Sequence, residues 1–128
     1  MGLLRQRRRR ARQSARLSGV AEQIGARNGV VLKDRFSGGK GLNGPLTLGI
    51  ITLRDGSAAD VAQAQIDAAV AAGYTDPPRP PCASGRGCGF VTTPGLPMVI
   101  IVTYAAGEVV PHHGVVPEGQ TGVVVSLT

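Results

Sequence analysis

Aromatic side chains are scarce in this chain of 128 residues, which contains two Phe, two Tyr and no Trp. Its core must therefore be built from Val, Ile, Leu and Ala, and base stacking on aromatic rings is not expected. No apolar run approaches the length of about 20 residues that crosses a bilayer. A secretory signal is not indicated either, because polar and charged residues follow the basic stretch where it would need about 7–15 apolar residues. These absences predict a small globular protein of the cytoplasm, with a virus particle as the alternative location.

Acidic residues are missing from the beginning of the chain, where the first one is Glu22. Residues 1–40 carry eleven Lys or Arg and two acids, whereas residues 41–128 carry three Lys or Arg and six acids. The formal charge of +6 therefore describes neither part, and the asymmetry is typical of a basic arm on a slightly acidic body. Half of the basic charge belongs to seven arginines: Arg5, Arg7, Arg8, Arg9, Arg10, Arg12 and Arg16.

The arginine-rich arm is expected to be helical, because no proline interrupts it and an apolar stripe follows it at helical spacing. Four consecutive arginines surround a helix rather than line one face, which argues against an amphipathic helix lying in a membrane surface. We therefore divide the chain into a basic helical arm, residues 1–27, and a small α+β domain, residues 28–128. The stripe consists of Leu17, Val20, Ala21 and Ile24.

A second helix is predicted between Ser57 and Gly73. Ser57 is a good N-cap residue, with Asp60 at the N3 position, and Gly73 is suited to the position after the helix. The predicted core face consists of Ala62, Ile66, Ala69 and Val70, with Val61 flanking it.

The other regular segments are short, apolar and bounded by glycine or proline, as is typical of β-strands. The element order α-β-β-α-β-β-β predicts an α+β fold, with a mostly antiparallel sheet of four to five strands backed by helices. Because the segment from Met98 to Val102 is apolar on both faces, we expect it to be the central strand. Strands are predicted over residues 30–36, 46–53, 89–93, 98–104 and 122–127, and a loop over residues 75–88.

The glycine-rich segment 37–44 does not match a phosphate-binding loop. That motif requires Gly, four residues and then Gly-Lys-Ser/Thr before a helix. Arg35 stands in place of the first Gly, Gly41 in place of the hydroxyl residue, and a strand follows. We interpret the segment as a hairpin connection, and its basic neighbours Lys33, Arg35 and Lys40 as candidate anion-binding residues.

The two cysteines, Cys82 and Cys88, lie in a loop rich in proline and glycine. They could be free thiols, a disulfide or, with His112 and His113, a zinc site. Adjacent histidines on an extended segment point in opposite directions, and the cysteine spacing is wider than in the usual zinc knuckle. We therefore predict no metal site, and keep these four residues as the one candidate set.

No catalytic or cofactor motif is recognisable, so neither an enzyme nor a cofactor is predicted. Arginine arms suit phosphate backbones without reading sequence. The leading hypothesis is a non-catalytic binding or assembly module whose arm contacts a polyanion, above all nucleic acid, in a ribonucleoprotein, a chromosome-associated protein or a virion. The alternative is a protein-interaction or membrane-surface adaptor, in which the arm meets an acidic protein or anionic lipid. Both hypotheses are compatible with a homo- or hetero-oligomer.

Overall fold

A computed structural model of the chain describes residues 2–39, 44–75, 87–89 and 94–128. Within these residues, two helices pack on one face of an antiparallel five-stranded sheet, which confirms the predicted α+β fold. Two short strands that the sequence did not indicate form a separate hairpin. The elements are α1 (Gly2–Gln23), β1 (Val30–Ser37), β2 (Thr47–Asp55), α2 (Ala58–Ala71), β3 (Gly87–Gly89), β4 (Val99–Tyr104), β5 (Val109–Val110), β6 (Gly114–Val115) and β7 (Gln120–Leu127).

The five-stranded sheet has the order β1-β2-β7-β4-β3, and every neighbouring pair is antiparallel. Its central strand is β7, so the prediction that Met98 to Val102 would form the centre is wrong. Residues 99–102 of that segment belong to β4, which lies one place nearer the edge, and Ile100 on it is 38% exposed. The helices cover one face of the sheet, and Ile100 points to the other face. Apolar residues on both faces of β4 therefore do not mean that both faces are buried.

The third strand also differs from the prediction. Gly87 and Cys88, expected in a loop, belong to β3 and pair with Val102 and Ile101 of β4. Glycine has a low preference for β-strands, so the sequence did not indicate a strand here. The segment is a strand because it pairs with the edge of β4. The remainder of the predicted loop, residues 76–86, and most of the strand predicted over 89–93 lie outside the described residues.

The main core lies between the helices and one face of the sheet. Because side chains alternate along a strand, every second residue of β2, β7 and β4 points to the helices. Each of these fully buried aliphatic side chains stabilises the fold by roughly 1.5–3 kcal/mol. Two rows of residues cross the three strands in register: Leu48, Leu127 and Val99, then Ile50, Val125 and Ile101.

The second half of α1 packs into this core. Its predicted apolar stripe is buried, and Ala26 in the following turn is buried beside it. The helix ends at Gln23, and Gly25 in the turn has a φ of 65°, which glycine adopts without strain. The buried stripe residues are Leu17, Val20, Ala21 and Ile24.

Both predicted ends of α2 are confirmed. The Ser57 side chain accepts a hydrogen bond from the backbone N–H of Asp60, at 3.2 Å. Gly73 follows the helix with a φ of 109°, and the N–H of Tyr74 donates to the carbonyl of Ala69 at 3.1 Å. The bond from Tyr74 to Ala69 belongs to a Schellman motif, in which residues after the helix donate to carbonyls that have no partner within the helix.

The core face of α2 differs from the prediction at two positions. Val70 is 37% exposed, whereas Gln65 is buried. Gln65 lies on the same helical stripe as Ala62 and Ile66, but a polar residue was not expected there. Its Nε2 donates to the carbonyl of Ile24, in the turn after α1, at 2.6 Å, whereas its buried Oε1 has no partner among the described residues.

The other face of the sheet, called the open face below, is partly covered by the β5–β6 hairpin. Val110 and Val116 from the hairpin region form a second buried cluster with Ile51 of β2. Arg35 and Ile100, further along the same face, are exposed. The hairpin therefore leaves one part of the open face accessible.

Candidate polyanion-binding surface

The first half of α1 presents positive charge on all sides. Side chains leave a helix about 100° apart, so consecutive arginines cannot share one face. Full burial on α1 begins only at Leu17, and the preceding turns contribute no described side chain to the core. The exposed arginines of these turns are Arg5, Arg7, Arg8, Arg9 and Arg12.

Arg10 connects this arm to the sheet. Its side chain is half-buried, and its Nη1 donates to the carbonyl of Gly38, just beyond the end of β1, at 3.0 Å. The carbonyl of Arg10 in turn accepts a hydrogen bond from the Ser14 hydroxyl at 2.8 Å. A guanidinium has five N–H donors, so the bond to Gly38 leaves others available to a ligand.

Two further cations lie on the open face of β1. Asp34 points to the helix side, where its carboxylate pairs with Arg27 at 2.6 Å. Because side chains alternate along a strand, Lys33 and Arg35 point to the opposite face, and both are exposed. The strand rise places them roughly 7 Å apart.

Arg10, Lys33 and Arg35 line a groove of about 500 Å³. Its floor crosses three strands, because Arg35 pairs with Gly49 of β2 and Gly49 pairs with Ser126 of β7. The groove therefore combines three cations with side-chain hydroxyls and a bare stretch of backbone. Its other lining residues are Phe36, Ser37, Gly38, Thr47, Gly49 and Ser126.

The positive charge of this surface is not neutralised within the described part of the chain. Among those residues the one ion pair joins Arg27 and Asp34, and no acid lines the groove. An array of uncompensated guanidinium and ammonium groups attracts anions and raises their local concentration. Arginine also offers paired donors that match the geometry of phosphate.

The structure brings together only some of the candidate residues named from the sequence. Arg10 from the arm meets Lys33 and Arg35 from β1. Arg16 lies elsewhere, with its Nη2 donating to the carbonyl of Gly95 at 2.8 Å. Lys40 lies outside the described residues. The arm and the open face of β1 thus form one continuous basic surface, joined at Arg10.

Sequence reasoning missed the neutral residues of the groove. Thr47 and Gly49 share a face of β2 by simple alternation, a signal that the sequence contains. Ser126 joins them only because β7 pairs with β2 in a particular register. That register depends on a contact between segments far apart in the chain, which no local pattern encodes.

The cysteine and histidine residues do not form a described site. His112 and His113 are exposed in the turn of the β5–β6 hairpin, and His112 has a φ of 66°. Cys88 belongs to β3, and Cys82 lies outside the described residues. Across ranges 2–39, 44–75, 87–89 and 94–128, no three Cys, His, Asp or Glu residues are grouped so as to hold a metal ion.

Comparison with protein-family models, with curated proteins and with solved structures found no match to this chain. In the described part of the chain, neither helix is both long enough and apolar enough to cross a membrane. Assignment of a function therefore rests on the geometry and charge of the basic surface.

Proposed function

We propose that this protein is a non-catalytic binding or assembly module that contacts nucleic acid through its arginine arm and the adjoining groove. The observation that carries this proposal is the junction at Arg10, where the exposed arm meets Lys33 and Arg35 without an acid in the groove. A phosphate backbone is a regular array of negative charges, and it releases condensed counterions when such cations bind.

The form of the arm favours nucleic acid over a membrane surface. A helix that lies in the membrane interface buries one continuous apolar face. The exposed arginines Arg7, Arg8 and Arg9 are consecutive and so interrupt any such face. Charge on all sides suits a partner that supplies phosphates around the arm, as a nucleic acid groove does.

The groove itself favours binding over catalysis. Its hydroxyl groups belong to Ser37, Thr47 and Ser126, and no histidine or carboxylate is among its described lining residues. A hydroxyl nucleophile needs an adjacent base to become reactive. These hydroxyls can nevertheless donate hydrogen bonds to phosphate oxygens.

Binding measurements with a panel of polyanions test the proposal. Fluorescence anisotropy would compare labelled single-stranded RNA, single-stranded DNA and duplex DNA with anionic vesicles and polyglutamate, at about 50 mM salt. The proposal predicts saturable binding to nucleic acid with little dependence on its sequence. Absence of binding to every nucleic acid would contradict it, and binding to polyglutamate or vesicles alone would support the adaptor hypothesis instead.

Two variants, one that removes four arginines of the arm and one that removes a paired arginine outside α1, identify the surface involved. Arg7→Gln/Arg8→Gln/Arg9→Gln/Arg10→Gln removes the centre of the arm while keeping residues of good helix propensity. The Arg27→Gln variant removes an arginine that is already paired with Asp34. We expect the first variant to weaken nucleic acid binding strongly and the second to leave it nearly unchanged.

A further inference from the structure

We infer that the groove on the open face is a binding site for the backbone of single-stranded nucleic acid, with Gly49 as its floor. This inference rests on the proposed function and specifies the ligand. The arm accounts for general attraction to polyanions. The groove adds a site where one strand of nucleic acid lies against the sheet, between the side chains of β1 and Ser126 of β7.

Gly49 is the residue that points to a ligand. Glycine inside a strand weakens the strand, and it marks a bulge, a bend or the close approach of another molecule. The irregularity between β1 and β2 lies at Val31 and Lys33, not at Gly49. A Cβ added to Gly49 would meet only the carbonyl oxygen of Arg35, at 3.9 Å, so packing within the protein does not require glycine there. The bare backbone keeps the floor of the groove open.

The size of the groove fits one strand of nucleic acid. Its volume of about 500 Å³ lies in the range that encloses a drug-sized ligand, which corresponds to about one or two nucleotides. A duplex presents its backbones on the outside of a wide cylinder and would touch only the rim. A single strand can follow β1 along the groove, with Lys33 and Arg35 available to successive phosphates.

The polar groups of the groove are arranged for phosphate rather than for bases. Arg10 lines the groove and is bonded to Gly38, and its guanidinium has further N–H donors beyond that bond. Thr47 and Ser126 supply hydroxyls on the floor. Phe36 contributes to the wall, but its side chain packs against the main core, so no described aromatic residue is free to stack on a base there. We therefore expect recognition of the backbone, without sequence preference.

Filling the groove without changing its charge is the sharpest test. Gly49→Val adds a side chain of high strand propensity at a position where a Cβ meets no atom closer than 3.9 Å, so the fold should be retained. Anisotropy would measure binding of a labelled oligonucleotide, as a single strand and as a duplex, to the full chain. We expect Gly49→Val to weaken single-strand binding about tenfold, because the added side chain keeps the nucleic acid backbone away from the floor of the groove, and duplex binding less than about twofold.

A second pair of variants separates position from charge. Lys33→Gln/Arg35→Gln and Arg5→Gln/Arg7→Gln remove the same net charge, but only the first pair lies in the groove. The inference predicts that Lys33→Gln/Arg35→Gln lowers the affinity for the single strand more than Arg5→Gln/Arg7→Gln does. Equal losses of affinity for the two pairs of substitutions, together with unchanged single-strand binding by Gly49→Val, would contradict a binding site in the groove. The arm would then be the binding site. The proposed function itself fails only if the unmodified protein binds no nucleic acid.

Discussion

At the scale of single residues, two polar side chains hold the end of α1 against the rest of the fold. Gln65 donates to the carbonyl of Ile24, and Arg54 donates to the carbonyls of Gly25 and Ala26 at 3.3 and 3.1 Å. Ile24, Gly25 and Ala26 form the turn that follows α1, so these bonds tie that turn to α2 and β2, while the Gly25 carbonyl also accepts from the N–H of Asn28 at 3.1 Å. Burial lowers the pKa of Arg54 to about 10, and the side chain therefore stays charged at neutral pH.

Replacement of Arg54 tests this anchoring. Arg54→Met keeps most of the side-chain length but removes every donor, so the Ala26 carbonyl loses its bond from Arg54 while the Gly25 carbonyl keeps its bond from the N–H of Asn28. We expect a loss of about 1–3 kcal/mol in the free energy of unfolding, measured by urea titration. Arg35→Met on the exposed open face is the control, with an expected change within about 0.5 kcal/mol. Similar effects of the two substitutions would show that Arg54 does not hold α1.

The adjacent residues Ile100 and Ile101 look alike in the sequence but differ in burial. Ile101 is fully buried under the helices, whereas Ile100 is 38% exposed on the open face. Ile101→Ala should therefore reduce stability by about 2–5 kcal/mol, and Ile100→Ala by clearly less, in the same urea titration. Equal losses would mean that another surface covers the open face at β4.

At the scale of elements, α1 has two parts with different roles. Its second half belongs to the core through Leu17 and Ile24, and its first half touches the sheet through Arg10. In the sequence the apolar stripe begins only after the arginines, and that stripe is the part of α1 that is buried. The contact with Gly38 was not predictable, since a single hydrogen bond between distant segments leaves no periodic signal.

Truncation of the arm should separate binding from folding. Removing residues 1–13 deletes the bond between Arg10 and Gly38 but leaves the buried stripe intact, so we expect little change in thermal stability. Ile24→Ala should instead cost about 2–5 kcal/mol, because its side chain is fully enclosed. A large loss of stability on truncation would mean that the arginines contribute to the fold itself.

At the scale of the whole molecule, local patterns were sufficient for the fold class but not for the order of the strands. The strand predicted over residues 46–53 corresponds to β2, which extends two residues further to Asp55, and the capping residues predicted both ends of α2. The position of β7 at the centre was not predictable, because Val123 and Val125 pair with two segments far from them in sequence. The groove depends on that pairing. From sequence its cations Lys33 and Arg35 could be named, but its floor could not.

The central claim is that the arm neutralises backbone phosphates, and the salt dependence of binding tests it most directly. If about five arginines contact duplex DNA, log K should fall with log salt at a slope near −4.5. This corresponds to a loss of affinity of roughly 500-fold between about 50 and 200 mM salt. In Arg7→Gln/Arg8→Gln/Arg9→Gln/Arg10→Gln about one contact remains, and the predicted slope is about −0.9. The same steep slope in that variant, or a slope near zero in the unmodified protein, would contradict the account.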